Sequence, residues 1–357
     1  MKVHLIFLTF FLFLKAGYSQ DRKSLELNLE CIAFYNLENL FDTIVDPDTN
    51  KILQEDFTPF GSKKFNTAKY LLKLKNMAFV IDTLGKEVTP LGASIIGVCE
   101  IENRLVLEDL VSQPSIADKN YKIVHHEGPD ARGIDCALIY DPLHFKVTSS
   151  KSVKFKIPGN DRFRSRDQLV VSGKLLGEEM HFIVVHWPSR RGGEAKSRPK
   201  RIEAAKLTKS IVDSLKQIDK KAKVVVMGDF NDDPISPSIK DFLHANGSTL
   251  LRNNQMYNTM YDHYKKGIGT LAYRDQWNLF DQFILTPSLI VNPSEIDTDN
   301  MYNSFSFYKS VVYNKSFLKN PSGNYKGYPF RTYGGSSFLG GYSDHFPVYM
   351  FLVKKAL

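Results

Sequence analysis

Four polar side chains stand where apolar, strand-like runs stop: Asn36 after residues 29–35, Glu100 after 94–99, His186 after 182–185 and Asp229 after 224–227. Amide, carboxylate and imidazole groups bind hard cations or move protons. Strand ends converge on one rim of a sheet, where a rigid scaffold presents them to a ligand. Each has an ordinary reading alone: an Asn in a turn, a Glu on a surface, a His satisfied in a core. Their recurrence at four strand ends points to one site.

Two local strings sharpen this. In Gly228-Asp229-Phe230-Asn231 the glycine lets the backbone turn tightly, and an acid and an amide two residues apart then leave the strand end; as a bare string it is also an ordinary turn. Ser343-Asp344-His345-Phe346-Pro347-Val348 sets a carboxylate beside an imidazole just before the last strand, and both serve one site only if the chain turns there. In Asn36-Leu37-Glu38 the two polar side chains are two apart, hence on one face of a regular strand.

The chain resembles the endonuclease/exonuclease/phosphatase (DNase I-like) superfamily through six ordered motifs. They are Tyr35-Asn36-Leu37-Glu38-Asn39, Val98-Cys99-Glu100, Val185-His186, Gly228-Asp229-Phe230-Asn231, Asp281-Gln282-Phe283-Ile284, and Ser343 to Val348. The resemblance implies an α/β, four-layer sandwich: two packed mixed β-sheets flanked by helices, with the site at one edge. It also implies a hydrolase of phosphoric esters that uses Mg²⁺ or Mn²⁺. Glu100 is then the principal metal ligand with Asn36 beside it, and Glu38 and Asp344 serve a second or shifted metal position or act through water. Asp229 is the general base, Asn231 orients water or phosphate, His345 meets the phosphate with Asp281 fixing its tautomer, and His186 donates to the phosphate or leaving oxygen. Asn36 and Arg331 are also placed against substrate, and Arg132 either contacts phosphate or is a surface arginine on a turn.

The elements that must position these groups alternate between strand and helix. Further strands are expected over 121–125, 136–140, 169–175, 283–285 and 348–353, and 224–227 is apolar enough to be buried on both faces. Leu74, Met77, Ala78, Ile81 and Leu84 mark one helix face. A second helix is expected to start near Ser197 and Pro199 and to bury Ala204, Leu207, Ile211 and Leu215, with Arg201, Lys206 and Lys209 on a solvated face.

Composition bounds the rest. Residues 5–14 form a charge-free apolar run behind Lys2, read as a signal peptide over 1–19 and so as export to the periplasm or the exterior; a buried N-terminal helix is the alternative. No later run is long enough to span a membrane, and without a linker or repeat, residues 20–357 read as one domain, taken to be a monomer. Cys31, Cys99 and Cys136, odd in number and inside apolar runs, are expected as buried thiols, with a nucleophilic Cys99 as the sharper alternative. The net charge of +8, of which the leader lysines Lys2 and Lys15 supply two, favours a polyanionic partner such as nucleic acid or another phosphoester. Residues 300–343 hold no acid, five bases and many aromatics; they are expected mostly to pack on themselves, with Arg331 nearest the site. A nuclease is the leading expectation, and a phosphomonoesterase or phospholipid-headgroup hydrolase is the alternative. A fold-only binding module is disfavoured because base, metal ligand and both histidines are present.

Overall fold

The structure is a computed structural model that describes residues 26–356 except 53, 253, 292–295 and 297–300. The leader expected at 1–19 lies outside the described residues. In chain order the strands are β1 (Leu27–Leu40), β2 (Ala93–Ile101), β3 (Lys122–His125), β4 (Asp135–Tyr140), β5 (Phe145–Val153), β6 (Gln168–Leu175), β7 (Glu178–His186) and β8 (Val224–Asp229). They continue as β9 (Ala245–Asn246), β10 (Met256–Asn258), β11 (Leu271–Tyr273), β12 (Gln276–Asn278), β13 (Asp281–Leu285), β14 (Ser306–Val312), β15 (Tyr333–Gly334), β16 (Ser337–Phe338) and β17 (Val348–Lys355). The helices are α1 (Thr67–Thr83), α2 (Arg104–Val111), α3 (Glu194–Ile218) and α4 (Tyr261–Lys265).

Two mixed sheets result, in the orders β14-β17-β1-β2-β4-β3 and β5-β6-β7-β8-β13-β10-β9. Strand alternation explains how they pack. Val225 and Met227 of β8 face the first sheet and join a core with Phe34, Val98, Phe182 and Phe283. Val224 and Val226 face the other way, into a second core with Ala204, Ala205, Ile211 and Val212 of α3. The outer face of the first sheet is covered by α1 through Leu74, Met77, Ala78 and Ile81. The layers are therefore helix, sheet, sheet, helix, as the sequence implied.

Strand direction places the site. β1 and β2 run parallel, as do β7 and β8, so the ends carrying Asn36, Glu100, His186 and Asp229 lie on one rim. β13 runs antiparallel to β8 with Asp281 opposite Asp229, so its start reaches the same rim. β17 runs antiparallel to β1 with Val348 opposite Phe34, which brings the preceding His345 there too.

Three sequence expectations need correction. α3 begins at Glu194, not near Ser197, and Pro199 lies inside it. Arg201 is not solvated: it is fully buried, with Nε 2.8 Å from Asp232 Oδ2. A helical charge reads as surface unless its partner is known, and Asp232 is remote in sequence. Asn36 and Glu38 do not share a face, because Glu38 and Asn39 adopt φ of 46° and 53° and break the alternation.

Gly228 is where the two site-bearing strands approach closely, since a Cβ there would lie 2.0 Å from the Val185 carbonyl oxygen across the β7–β8 pair. Gly228→Ala should therefore destabilise the fold by roughly 1–3 kcal/mol through overpacking, read as a lower urea midpoint at unchanged slope; an unaltered midpoint would contradict this close approach.

Candidate active site

Asp229 sits at the centre of the rim. It is buried, its Oδ2 accepts from Asn36 Nδ2 at 3.2 Å, and its Oδ1 accepts from the Asn231 backbone N–H at 2.9 Å. His186 Nε2 and His345 Nε2 stand 3.6 and 3.9 Å from Oδ2. Burial, with Asp281 and Glu100 adding to it against His345, raises the Asp229 carboxyl to about 7. A base with that affinity takes a proton efficiently near neutral pH. Asn231 acts on Asp229 through its backbone, because its side-chain nitrogen is spent on the Trp187 carbonyl at 2.9 Å.

The chain bends at 344–345 before β17 begins, so Asp344 and His345 escape strand alternation. The Ser343 hydroxyl fixes the bend by donating to Asn36 O at 2.7 Å and accepting from His345 N at 3.1 Å. His345 Nδ1 meets Asp281 Oδ2 at 2.7 Å. Burial alone would lower this imidazole, but the Asp281 carboxylate overrides it, with help from Asp229, and holds His345 protonated well above its usual range. His186 goes the other way. Burial first, then Arg166, Arg132 and His345, keep it neutral. One rim thus carries a cationic and a neutral imidazole, separated by environment.

Glu100 has the open carboxylate. It adopts φ 60° at the break in β2–β4 pairing, a strained conformation for a side-chain-bearing residue. Oε2 accepts from Asn39 N at 3.0 Å, whereas Oε1 lies 3.6 Å from Arg132 Nη1 and 3.8 Å from His186 Nε2. Those gaps exceed hydrogen-bonding distance, so Oε1 keeps lone pairs for an added cation. This donor set fits a hard divalent ion that takes one or two protein carboxylates. Asp229, Asp281 and His345 also offer three ligand atoms within 4.8 Å. There, however, the His345–Asp281 contact is already a direct hydrogen bond, so we read this trio as proton-handling.

The other expected ligands are more committed. Glu38 accepts from Thr332 N at 2.7 Å and Tyr333 N at 3.4 Å, anchoring the segment that carries Arg331. Burial, then Asp344, raises Glu38 to about 7. Asp344 pairs with Arg331 Nη2 at 2.6 Å, and Arg331 Nε is 3.6 Å from Glu38. The buried Lys73, absent from the sequence reading, reaches Thr332 Oγ1 at 2.7 Å beside this group. Asn36 Oδ1 already accepts from Glu38 N at 2.9 Å.

Arg132 is a rim residue rather than a solvated turn arginine, and its Nη2 is buried without a hydrogen-bond partner among the described residues. Sequence reasoning missed what holds it. Asp130 accepts from Arg132 N at 2.9 Å and from Arg166 Nη1 at 3.1 Å, and Arg166 also donates to the carbonyls of His186 at 3.1 Å and Trp187 at 2.6 Å. Arg190 was missed too: it binds the Asn231 carbonyl at 3.0 Å and Asp232 and Asp233 at 3.1 Å each, bracing the turn after β8. Arg166 belongs to the polar stretch Arg166-Asp167-Gln168 that leads into the apolar run Leu169-Val170-Val171, a signal like the one used for Glu100 but at the strand's start. The three cysteines are free and buried, and burial pushes the Cys99 thiol up, which rules against a nucleophilic thiolate.

If Asp281 is what keeps His345 charged, Asp281→Asn should move the His345 titration, followed by NMR of the ring protons, to lower pH. In the parent protein the ring should stay protonated through neutral pH. Identical titrations would refute the pairing.

A family model described as the Endonuclease/Exonuclease/phosphatase family matches residues 31–354. Among solved structures, the fold is similar to a humanised TDP2 of D. rerio (TM-score 0.51, 13% identity, 91% of this chain and 98% of that one). It is also similar to an endonuclease/exonuclease/phosphatase family protein of Bacteroides thetaiotaomicron (TM-score 0.52, 15% identity, 93% and 100% covered). A mannosyl-6-phosphatase from the same organism has TM-score 0.51 and 16% identity, with 90% and 99% covered. No curated protein matches the chain. With a sandwich of two mixed sheets, ordered motifs and a family match spanning almost the whole described chain, this protein belongs to the endonuclease/exonuclease/phosphatase family of metal-dependent phosphoric-ester hydrolases.

Proposed function

We propose that the protein is an exported phosphodiesterase acting on nucleic-acid phosphodiester bonds with Mg²⁺ or Mn²⁺. The observation that carries this reading is the convergence on Asp229 of Asn36, His186 and His345, within 3.2 to 3.9 Å. Asp229, held in place by Asn36 and by the Asn231 N–H, takes the proton of the attacking water. His345, charged through Asp281, donates to a non-bridging phosphate oxygen, and neutral His186 donates to the phosphate or the leaving oxygen. Arg132 and Arg331 meet the remaining phosphate charge. Glu100 would hold the cation, with Asn36 and Asp344 available to it directly or through water, while Glu38 sets the Arg331 segment. When bound, that cation neutralises phosphate charge and favours attack by water.

A diester is favoured over a monoester because two clefts, about 310 and 910 Å³, meet at Arg331. A diester carries organic groups on both sides of phosphorus, and Lys63 and Arg274 add a cation to each cleft. A membrane-acting reading gains little from the β11–β12 hairpin. Its turn is Arg274-Asp275 rather than apolar, and Asp275 is tied to the Tyr328 hydroxyl at 2.5 Å.

Purified protein should hydrolyse DNA or RNA in preference to sphingomyelin and sugar phosphates, lose activity in EDTA and regain it with Mg²⁺. Asp229→Asn and His345→Ala should each lower kcat by about 10²–10⁴-fold. In the parent enzyme kcat/KM should fall as pH drops through about 7, where Asp229 gains its proton. Wild-type rates in both variants, or a preference for monoesters, would sink the proposal.

A further inference from the structure

Resting on the diesterase reading, we propose that the 910 Å³ cleft beside Arg331 is a base-stacking subsite, and that the substrate enters it as unpaired nucleic acid. The cleft is lined by Tyr273, Tyr325 and Tyr328 together with Arg274, Asn324 and Arg331. Tyr273 and Tyr325 are each 64% exposed while lining this concave surface.

A chain of ring contacts links the cleft to the reaction centre. Tyr325 lies 5.7 Å from Tyr328, Tyr328 lies 5.8 Å from Trp277, and Trp277 stacks on Phe346 at 6.0 Å and 14°. Phe346 is buried and directly follows His345. The middle of the chain is fixed in advance, because the Tyr328 hydroxyl accepts from Asp275 N at 2.9 Å and donates to Asp275 Oδ1 at 2.5 Å. A ligand stacked here therefore orders few groups on binding.

The chemistry selects the ligand. Aromatic faces beside a cationic track are how single strands are held, since every base has a π-face. In a duplex those faces are covered by neighbouring pairs. The lining supplies two cations, Arg274 over Tyr273 at 5.3 Å and Arg331 paired with Asp344, together with the acids Asp275 and Asp344, so the aromatic rings carry most of the recognition. Asn324 offers an amide that bonds a base edge without demanding one base, which suits sequence-tolerant binding.

The test compares hydrolysis of the 5′- and 3′-p-nitrophenyl phosphate diesters of thymidine with methyl p-nitrophenyl phosphate and a glucosyl p-nitrophenyl phosphate diester. Binding of a single-stranded oligonucleotide containing 2-aminopurine is followed by fluorescence, using the Asp229→Asn protein with Mg²⁺. At least one thymidine diester should be preferred over the methyl and glucosyl diesters, and Tyr325→Ala should shrink that preference about tenfold. The oligonucleotide should be quenched on binding, about tenfold more weakly bound when Tyr325→Ala is added, and restored by Tyr325→Phe, which keeps the ring. Tyr308→Ala, exposed but outside the cleft, should leave the preference ratio unchanged. Quenching and its Tyr325 dependence without hydrolysis of any diester would support the subsite and overturn the diesterase reading. Hydrolysis with no base preference, a preference for the glucosyl diester, equal affinity for duplex, or an effect of Tyr325→Phe equal to that of Tyr325→Ala would overturn the subsite.

Discussion

Negative charge packed into one half-buried rim is the constraint to which the surrounding structure responds. Glu38, Glu100, Asp229 and Asp281 are all buried there, and Asp344 is beside them. A buried carboxylate without a partner is costly, so each must be hydrogen-bonded, paired or neutralised. The fold meets that need residue by residue: protonated His345 for Asp281, backbone N–H groups for Glu38, Arg331 for Asp344, Asn36 and Asn231 for Asp229. Glu100 Oε1 faces its nearest cation, Arg132, only at 3.6 Å, and Asp281 Oδ1 is buried without a hydrogen-bond partner among the described residues. The same charge that makes the rim expensive makes it receptive to a divalent ion.

Positioning comes from strand direction rather than from flexible loops. Two parallel pairs, one in each sheet, aim their ends at the same edge, and two antiparallel strands begin there. Buried and half-buried arginines then lock the turns that follow. Arg166 ties the carbonyls of His186 and Trp187 to Asp130 and so to Arg132, and Arg190 with Arg201 holds Asp232, three residues beyond Asp229. Rigid supports of this kind keep reacting groups within the narrow tolerance that catalysis demands.

Much of this was legible because the strands that carry the site are apolar and end abruptly. β8 is buried on both faces and reads as a continuous apolar run, so Asp229 stands out at its end. β5 did not stand out: it is an edge strand with mostly exposed Lys and Ser, and lacks the alternation that marks a half-buried strand. Arg201 was misplaced, and Lys73 and Arg166 were passed over, for one shared reason. A long cation is read as solvated until the distant acceptor it reaches is known, and Asp232, Thr332 and Asp130 are distant in sequence. The segment from 301 to 343 is divided: Phe305, Val312, Tyr313 and Leu318 join the main core and β14 pairs with β17, so this part does not pack on itself as expected, while Tyr325 and Tyr328 wall a cleft.

The account stands most directly on where a cation binds. Crystals soaked with Mn²⁺ and measured for anomalous scattering should place one ion about 2.1 Å from a Glu100 carboxylate oxygen, on the side facing Asn36 and Asp344. An ion held instead by Asp229, Asp281 and His345, or absent from Glu100 at saturating Mn²⁺, would show that the trio is a ligand set rather than a proton relay and would contradict the central claim.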